Sequence, residues 1–576
     1  MNMLFRLIVL YALLTSSVRA DGYIAPEPAT GVRQVMHAAG RHGMVAAANP
    51  FAAKAGMMML EKGGNAVDAA IAAQMVLNLV EPQSSGIGGG AFLLYYSVKN
   101  GRISAFDGRE KAPSADSPKL FLDSQGKPLK FYDAVIGGKS VGVPGNLRML
   151  EMAHNEYGRL PWAELFGPAI DLCEKGFPVS PRLHALLDRD KFLRLNGDAR
   201  AYFYHEDESP RNVGEILKNP ELAEVFRQIA EKGADAFYKG KVAKDIVNAV
   251  RSQKKNPGYM TLADMASYHA VEREPVCGNY RAYKICGMPP PSSGGATVLQ
   301  IMGMLSHFDM GDTPESIESV HLVAEAERLA FADRDRYVAD PDFEYVPLKG
   351  LVDPAYLKER ASLIKMNEAM ENASPGNPPG SEKVKTAGAA AMEFHSTSHL
   401  SIVDRDGNAV SMTTSIEDGF GSRVMVDGFL LNNELTDFSF LPEKDGMPVA
   451  NRVEPGKRPR SSMSPTLVFK NGRLYAVLGS PGGPFIIDIV AKTLVALLDW
   501  RQGMAGSIAL PNFGSIGGPL LLEKDTPLDT FQAALEKMGH HVRITELNSG
   551  VHGVEKISSG WEGAADPRRE GIAIGY

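Results

Sequence analysis

Apolar positions recur every three to four residues along 50–60 and 66–80, which predicts two helices, and Gly63-Gly64 between them is a stop and a reversal. After a serine and glycine run at 84–90, the pattern changes to the strand-like stretches 91–98 and 103–107. Helical spacing prevails from about 146 to 271; Pro289-Pro290-Pro291 then breaks the chain ahead of another helix, and 320–337 predicts a long one. Between 371 and 392 the periodicity disappears and Pro, Gly, Ala, Ser and Lys dominate, as in a linker. Strand patterns at 400–403, 409–414, 424–426, 466–469 and 475–478 follow, then helical ones at 485–502 and 530–538. Strands and helices mixed in both halves predict a layered α/β sandwich with its sheets inside.

Two apolar stretches raise the question of membranes. Residues 1–20 read as a secretory signal, with Arg6 as the charged start, 7–14 as the apolar core and Val18-Arg19-Ala20 before the cut, so the expected location is periplasmic or secreted. That run falls well short of the roughly 20 residues a spanning helix needs, so no stable membrane anchor is expected. The stretch 485–500 contains Asp488, Lys492 and Asp499 and reads as a buried helix.

Composition narrows the function. A 576-residue chain that is 44% hydrophobic can bury a large core. Its formal charge of −7, about −9 once residues 1–20 are removed, argues against nucleic acid or an anionic membrane as partner and favours a small-molecule substrate. Cys277 and Cys286 lie within two short strand patterns, where pairing and free thiols are both open, whereas Cys173 lies in a helical pattern and reads as a buried hydrophobe.

Several motif matches carry no chemistry. The glycines of 86–90 follow a helix and precede a strand, the reverse of a phosphate loop. Gly138-Lys139-Ser140-Val141-Gly142 has nucleophile-elbow spacing but runs into Val143-Pro144-Gly145 rather than a helix. No zinc or calcium spacing occurs, so neither metal nor cofactor is indicated.

Thr397 stands apart because it lies between the linker and a strand. Cleavage before it would give one residue both a hydroxyl nucleophile and an α-amine base. The amine's pKa of about 7.7–8.0 leaves a useful unprotonated fraction near neutrality. His395 and His399 flank the cut, and their reading is structural or processing-related, since the amine already supplies the base.

The run Thr397-Ser398-His399-Leu400-Ser401-Ile402-Val403-Asp404, followed by Asp406-Gly407-Asn408, resembles the start of the small subunit of the gamma-glutamyltransferase (glutathione hydrolase) family of N-terminal nucleophile hydrolases. Gly64-Asn65-Ala66-Val67-Asp68, Phe106-Asp107-Gly108-Arg109-Glu110, Leu431-Asn432-Asn433-Glu434, Asp437-Phe438, Lys457-Arg458-Pro459, Ser461-Ser462-Met463-Ser464-Pro465, Gly479-Ser480-Pro481-Gly482-Gly483 and Gly575-Tyr576 are similar in identity and order, so the resemblance covers about 38–576.

The resemblance implies a four-layer αββα sandwich formed jointly by two chains after self-cleavage between Ser396 and Thr397. The large subunit would span 21–396, with a mobile linker at about 371–396, and the small subunit 397–576. Thr397 would attack a γ-glutamyl amide, and water or an amino acid or dipeptide acceptor would resolve the acyl-enzyme. Gly482 and Gly483 would supply oxyanion N–H groups. Arg109, Ser461 and Ser462 would clamp the substrate carboxylate, Glu434 and Asp437 would hold its ammonium, and Ser415 would bond the nucleophile.

Three departures bear on substrate choice. Glu417 replaces the usual Asn and adds a negative charge to the ammonium side, Thr436 replaces an acidic residue, and the lid segment 440–453 is short and has no Tyr, which predicts an open pocket. Hydrolysis is the favoured outcome. A cephalosporin or glutaryl acylase of the same family, and an exported binding protein that never cleaves, are the alternatives.

Overall fold

The structure is a computed structural model that describes residues 35–389 and 396–576; the expected signal segment and His395 lie outside them. Fourteen strands build its two main sheets: β1 (Met36–Gly40), β2 (Met44–Ala47), β3 (Gly90–Tyr96), β4 (Ile103–Gly108), β5 (Val271–Arg273), β6 (Val276–Tyr280), β7 (Tyr283–Gly287), β8 (Ser396–Val403), β9 (Ala409–Glu417), β10 (Thr466–Lys470), β11 (Arg473–Gly479), β12 (His552–Ile557), β13 (Gly560–Ala565) and β14 (Ile572–Gly575). One sheet runs β1-β13-β12-β11-β10-β7-β6 and the other β14-β2-β8-β9-β3-β4-β5.

Helices cover both outer faces, which completes the expected αββα sandwich. On one side lie α1 (Pro50–Glu61) and α2 (Ala66–Val80). Asn49 caps α1, with Pro50 in its first turn, and Asn65 with Asp68 forms a reciprocal capping box on α2. Every residue of α2 is buried, as a helix apolar on all sides must be. On the other side lie α3 (Gly294–Leu305), α4 (Ile317–Tyr337) and α5 (Phe485–Leu498). Asp488 and Lys492 are buried on α5 as expected, and among the described residues no helix is long and apolar enough to cross a membrane.

Strand periodicity sorts the core. Leu93, Leu400, Ile402, Val410 and Met412 pack toward α1 and α2, while Phe92, Leu94, Val403 and Ala409 face the other sheet. Along β8 the inter-sheet face is mostly polar: Ser401 Oγ donates to the carbonyl of His552, and Ser411 Oγ on β9 donates to that of Leu478. Strand β8 therefore begins at Ser396, four residues before the apolar pattern becomes readable.

The serine and glycine run joins α2 to β3, in the order its pattern predicts. A Cβ on Gly88 would lie 2.1 Å from the carbonyl oxygen of Leu430, and one on Gly89 2.1 Å from that of Ser415, so these glycines let the loop press against the β9 end. Cys277 and Cys286 are directly opposite in the β6–β7 hairpin and form a disulfide. Cys173 is buried, and burial pushes its thiol up to about 12.

The expected mobile linker is largely docked. Arg360 donates to the carbonyl of Ser374, Tyr337 to that of Gly376, and Asp333 accepts the N–H of Gly376. Further on, the Ala387 N–H donates to Pro448 in the lid segment, and the Ala450 N–H donates back to Ala387. Backbone polar groups recruit buried side chains here, which a loss of apolar periodicity does not reveal. Residues 390–395 lie outside the described part.

Candidate active site

Strands β8 and β9 are central in their sheet and joined by a tight turn in which Asp404 accepts the N–H groups of Asp406 and Asn408. At the far end of the hairpin the register slips between Ser396 and Thr397, so that Ser396 faces Glu417 while Thr397 faces Ser415. This bulge re-aims the chain at the residue expected to react.

A hydroxyl relay results. Ser415 Oγ lies 3.3 Å from Thr397 Oγ1, donates to the Ser396 carbonyl oxygen at 2.9 Å and accepts the Glu417 N–H at 2.9 Å. Thr397 and Ser415 are each only 3% exposed. Arg569, which the sequence reading did not single out, donates to the Thr397 carbonyl at 3.1 Å.

Thr397, Ser415, Glu417, Glu434, Asp437, Ser461, Ser462 and Gly483 line one cavity, with Met463 and Ile486 as apolar walls. Its volume is about 20 Å³, room for a water molecule. It is narrower than the short lid predicted. Gly482 and Gly483 have φ of 138° and 58°, conformations a side chain would strain, and they lead into α5. A helix N-terminus favours anions, which suits donors to a developing oxyanion.

Arg109 sits behind the cavity wall. Its guanidinium donates to Glu434, to Asp437 at 2.5 Å, and to the carbonyls of Pro459 and Arg460. Burial opposes its charge, but Glu434, Asp437 and Glu110 more than offset this and hold the pKa above the ordinary arginine range. Burial and then Glu434 push neighbouring Glu110 well above the usual carboxylate range. Ser462 is held by Arg334, whose guanidinium also donates to Ser293. These supports come from α4 and the turn before α3, distant in sequence and without a recognisable motif.

His399 is not aimed at the Thr397 hydroxyl. It is fully buried between the hydroxyls of Thr413 and Ser401, and burial, followed by His552, keeps it neutral. Ser140, in the false elbow, donates to the Val135 carbonyl.

The family model for gamma-glutamyltranspeptidase matches residues 52–576. This chain belongs to that family. The glutathione hydrolase proenzyme of Bacillus subtilis (strain 168) is 39% identical over 550 residues, covering 93% of this chain and 92% of the relative. That of Escherichia coli (strain K12) is 37% identical over 592 residues, covering 99% of each. Among solved structures, cephalosporin acylase from Bacillus halodurans matches with a TM-score of 0.80 at 28% identity, over 94% of this chain and 97% of the other.

Within this gamma-glutamyltranspeptidase family member, the tertiary structure brings eight of the ten expected reaction and binding residues onto one cavity surface. Gly482 adjoins that surface through Gly483, and Arg109 reaches it through Glu434 and Asp437. Ser396 sits on the strand just before Thr397, its hydroxyl donating to the Gln83 carbonyl.

Proposed function

We propose that this protein is an exported, self-processing γ-glutamyl hydrolase and transferase, with Thr397 as its nucleophile and hydrolysis favoured over transfer. The relay through Ser415 carries the proposal, since one hydroxyl contacts both the nucleophile and the carbonyl to be cut. In self-cleavage Thr397 Oγ1 attacks the Ser396 carbonyl carbon, the C–N bond breaks as the amine takes a proton, and an ester forms. Water then hydrolyses the ester, freeing the Thr397 hydroxyl beside the already released amine and leaving Ser396 as a carboxylate. The same hydroxyl, with that amine as base, then attacks a γ-glutamyl amide. Two chains, 21–396 and 397–576, share the sandwich.

A γ-glutamyl donor fits the charge pattern better than a glutaryl donor. Glu417, Glu434 and Asp437 face one cavity, and three carboxylates there favour a substrate ammonium, which a glutaryl group lacks. The lid segment 440–453 has no Tyr to exclude water from the site, which supports hydrolysis. The structural likeness to a cephalosporin acylase keeps the glutaryl reading worth testing.

N-terminal sequencing of wild type and Thr397→Ala, alongside assays with γ-glutamyl and glutaryl anilides, tests the reading. Two wild-type chains with a new N-terminus at Thr397, one uncut mutant chain and γ-glutamyl preference are expected. Cleavage in the mutant would remove the mechanism, glutaryl preference would favour the acylase, and an uncut wild type would favour the binding protein.

A further inference from the structure

A second polar cluster lies away from the active site, between α4 and the loop after the short helix Gln532–Lys537. His321 and Glu325 are one helical turn apart on α4 and so share a face. His540 meets them from 219 residues further along the chain. All three are buried, and one ligand atom from each lies within 4.8 Å of the others.

The orientation of the groups suits a metal. His321 Nε2 lies 2.7 Å from the Lys365 carbonyl oxygen, so that nitrogen donates and Nδ1 is left with its lone pair toward His540. A carbonyl holding the far nitrogen is the usual support of a metal-ligating histidine. Glu325 is held likewise: one oxygen accepts from Arg328 and the other from the Met370 N–H. A carboxylate oxygen has lone pairs for a further bond, although Arg328 reduces the charge it offers.

We propose that His321, Glu325 and His540 form a binding site for a borderline transition-metal ion, zinc foremost. Two imidazoles and one carboxylate suit zinc, whereas calcium and magnesium require oxygen ligands. His321 Nδ1 and His540 Nε2 are 2.7 Å apart and share a hydrogen bond. Zinc bonds of about 2.0–2.1 Å in a tetrahedron set such nitrogens roughly 3.3 Å apart, so the rings must separate by about 0.6 Å. The His540 loop follows Gly539, whose φ of 103° marks a turn outside regular structure, and it is the side able to move. On binding, His540 Nε2 presents its lone pair and its ring proton shifts to Nδ1. If the chain is cut before Thr397, two ligands belong to one product and the third to the other, so the ion would staple the subunits; the site itself does not depend on the cut.

Tag-free full-length protein stripped with chelator and dialysed against zinc tests this, with bound metal counted by elemental analysis. One equivalent is expected in wild type, and affinity should fall by more than about 100-fold in His540→Ala and in His321→Ala, since even outer partners of a metal are worth 10–100-fold. Cobalt in place of zinc should give the visible bands of a four-coordinate site, lost in both variants while far-UV circular dichroism is retained. His540→Gln, which preserves a hydrogen-bonding group, should also lose the metal if either alanine variant misfolds. Failure of wild type to retain zinc, or equal uptake by folded variants, overturns the proposal.

Discussion

The Ser415 hydroxyl donates to the carbonyl oxygen of Ser396 at 2.9 Å, across the bulge that separates Ser396 from Thr397. In the proposed self-cleavage this is the oxygen on which negative charge would grow as Thr397 attacks its own chain. The contact shortens as that charge develops, so it contributes more to the transition state than to the ground state. Ser415→Ala is expected to slow chain scission by about 10²-fold, the usual loss for one oxyanion donor. Ser415→Thr should retain most of the rate. Denaturing gels of freshly refolded precursor over time give the measurement.

Glu417 holds a φ of +77°, unusual for a residue with a side chain, while its carboxylate accepts from Asn433 and lines the cavity. Glu417→Gln removes the charge and keeps the length. A charge-assisted hydrogen bond contributes about 1.5–3 kcal/mol, so KM for a γ-glutamyl anilide should rise at least about tenfold. KM for a glutaryl anilide should stay the same or fall. Equal changes for both substrates would show that Glu417 does not recognise the ammonium.

Arg109 is the buried cation between Glu434 and Asp437. Removing one partner of a buried pair leaves uncompensated charge, so Arg109→Ala should destabilise the protein by about 3–5 kcal/mol in urea unfolding. Adding Glu434→Gln and Asp437→Asn should recover much of that stability without restoring activity. Recovered activity would mean that these groups serve packing alone.

His399 and His552 are two of the buried histidines expected to weaken the fold in acid. Burial, then His552, depresses the pKa of His399 well below its ordinary value, and burial lowers that of His552 to about 3. Below about pH 6.5 the unfolded chain takes up protons at both positions and the folded chain does not. Their contribution to stability should therefore be fully present above that pH and fall by up to roughly 2.7 kcal/mol per pH unit as the pH drops toward 4. His399→Gln should lower the slope measured by denaturant titration across that range by up to roughly 1.4 kcal/mol per pH unit.

Much of the fold was legible because periodicity reports burial directly. Both α1 and α2 came from it, as did the cores of β3, β4, β9, β10 and β11. Strand β8 was only half readable, because its inter-sheet face bears Thr397, His399 and Ser401, whose hydroxyls and ring bond across strands rather than pack as hydrocarbon. The docking of the segment after Glu371 leaves no apolar pattern for a related reason: its partners are arginine, tyrosine and aspartate side chains on α4 and nearby.

Sequence by itself determined the nucleophile candidate, the family and the residue types of the site, because Thr397 and the glycine, serine and acidic motifs carry their chemistry locally. Tertiary structure alone decided that Ser415 bridges Thr397 and the bond before it, that Arg109 lies behind Glu434 and Asp437, and that His540 meets His321 and Glu325. Those relationships depend on strand register, a one-residue bulge and the packing of segments hundreds of residues apart. Each is a sum of many weak, long-range contacts that leaves no pattern in any short stretch of chain.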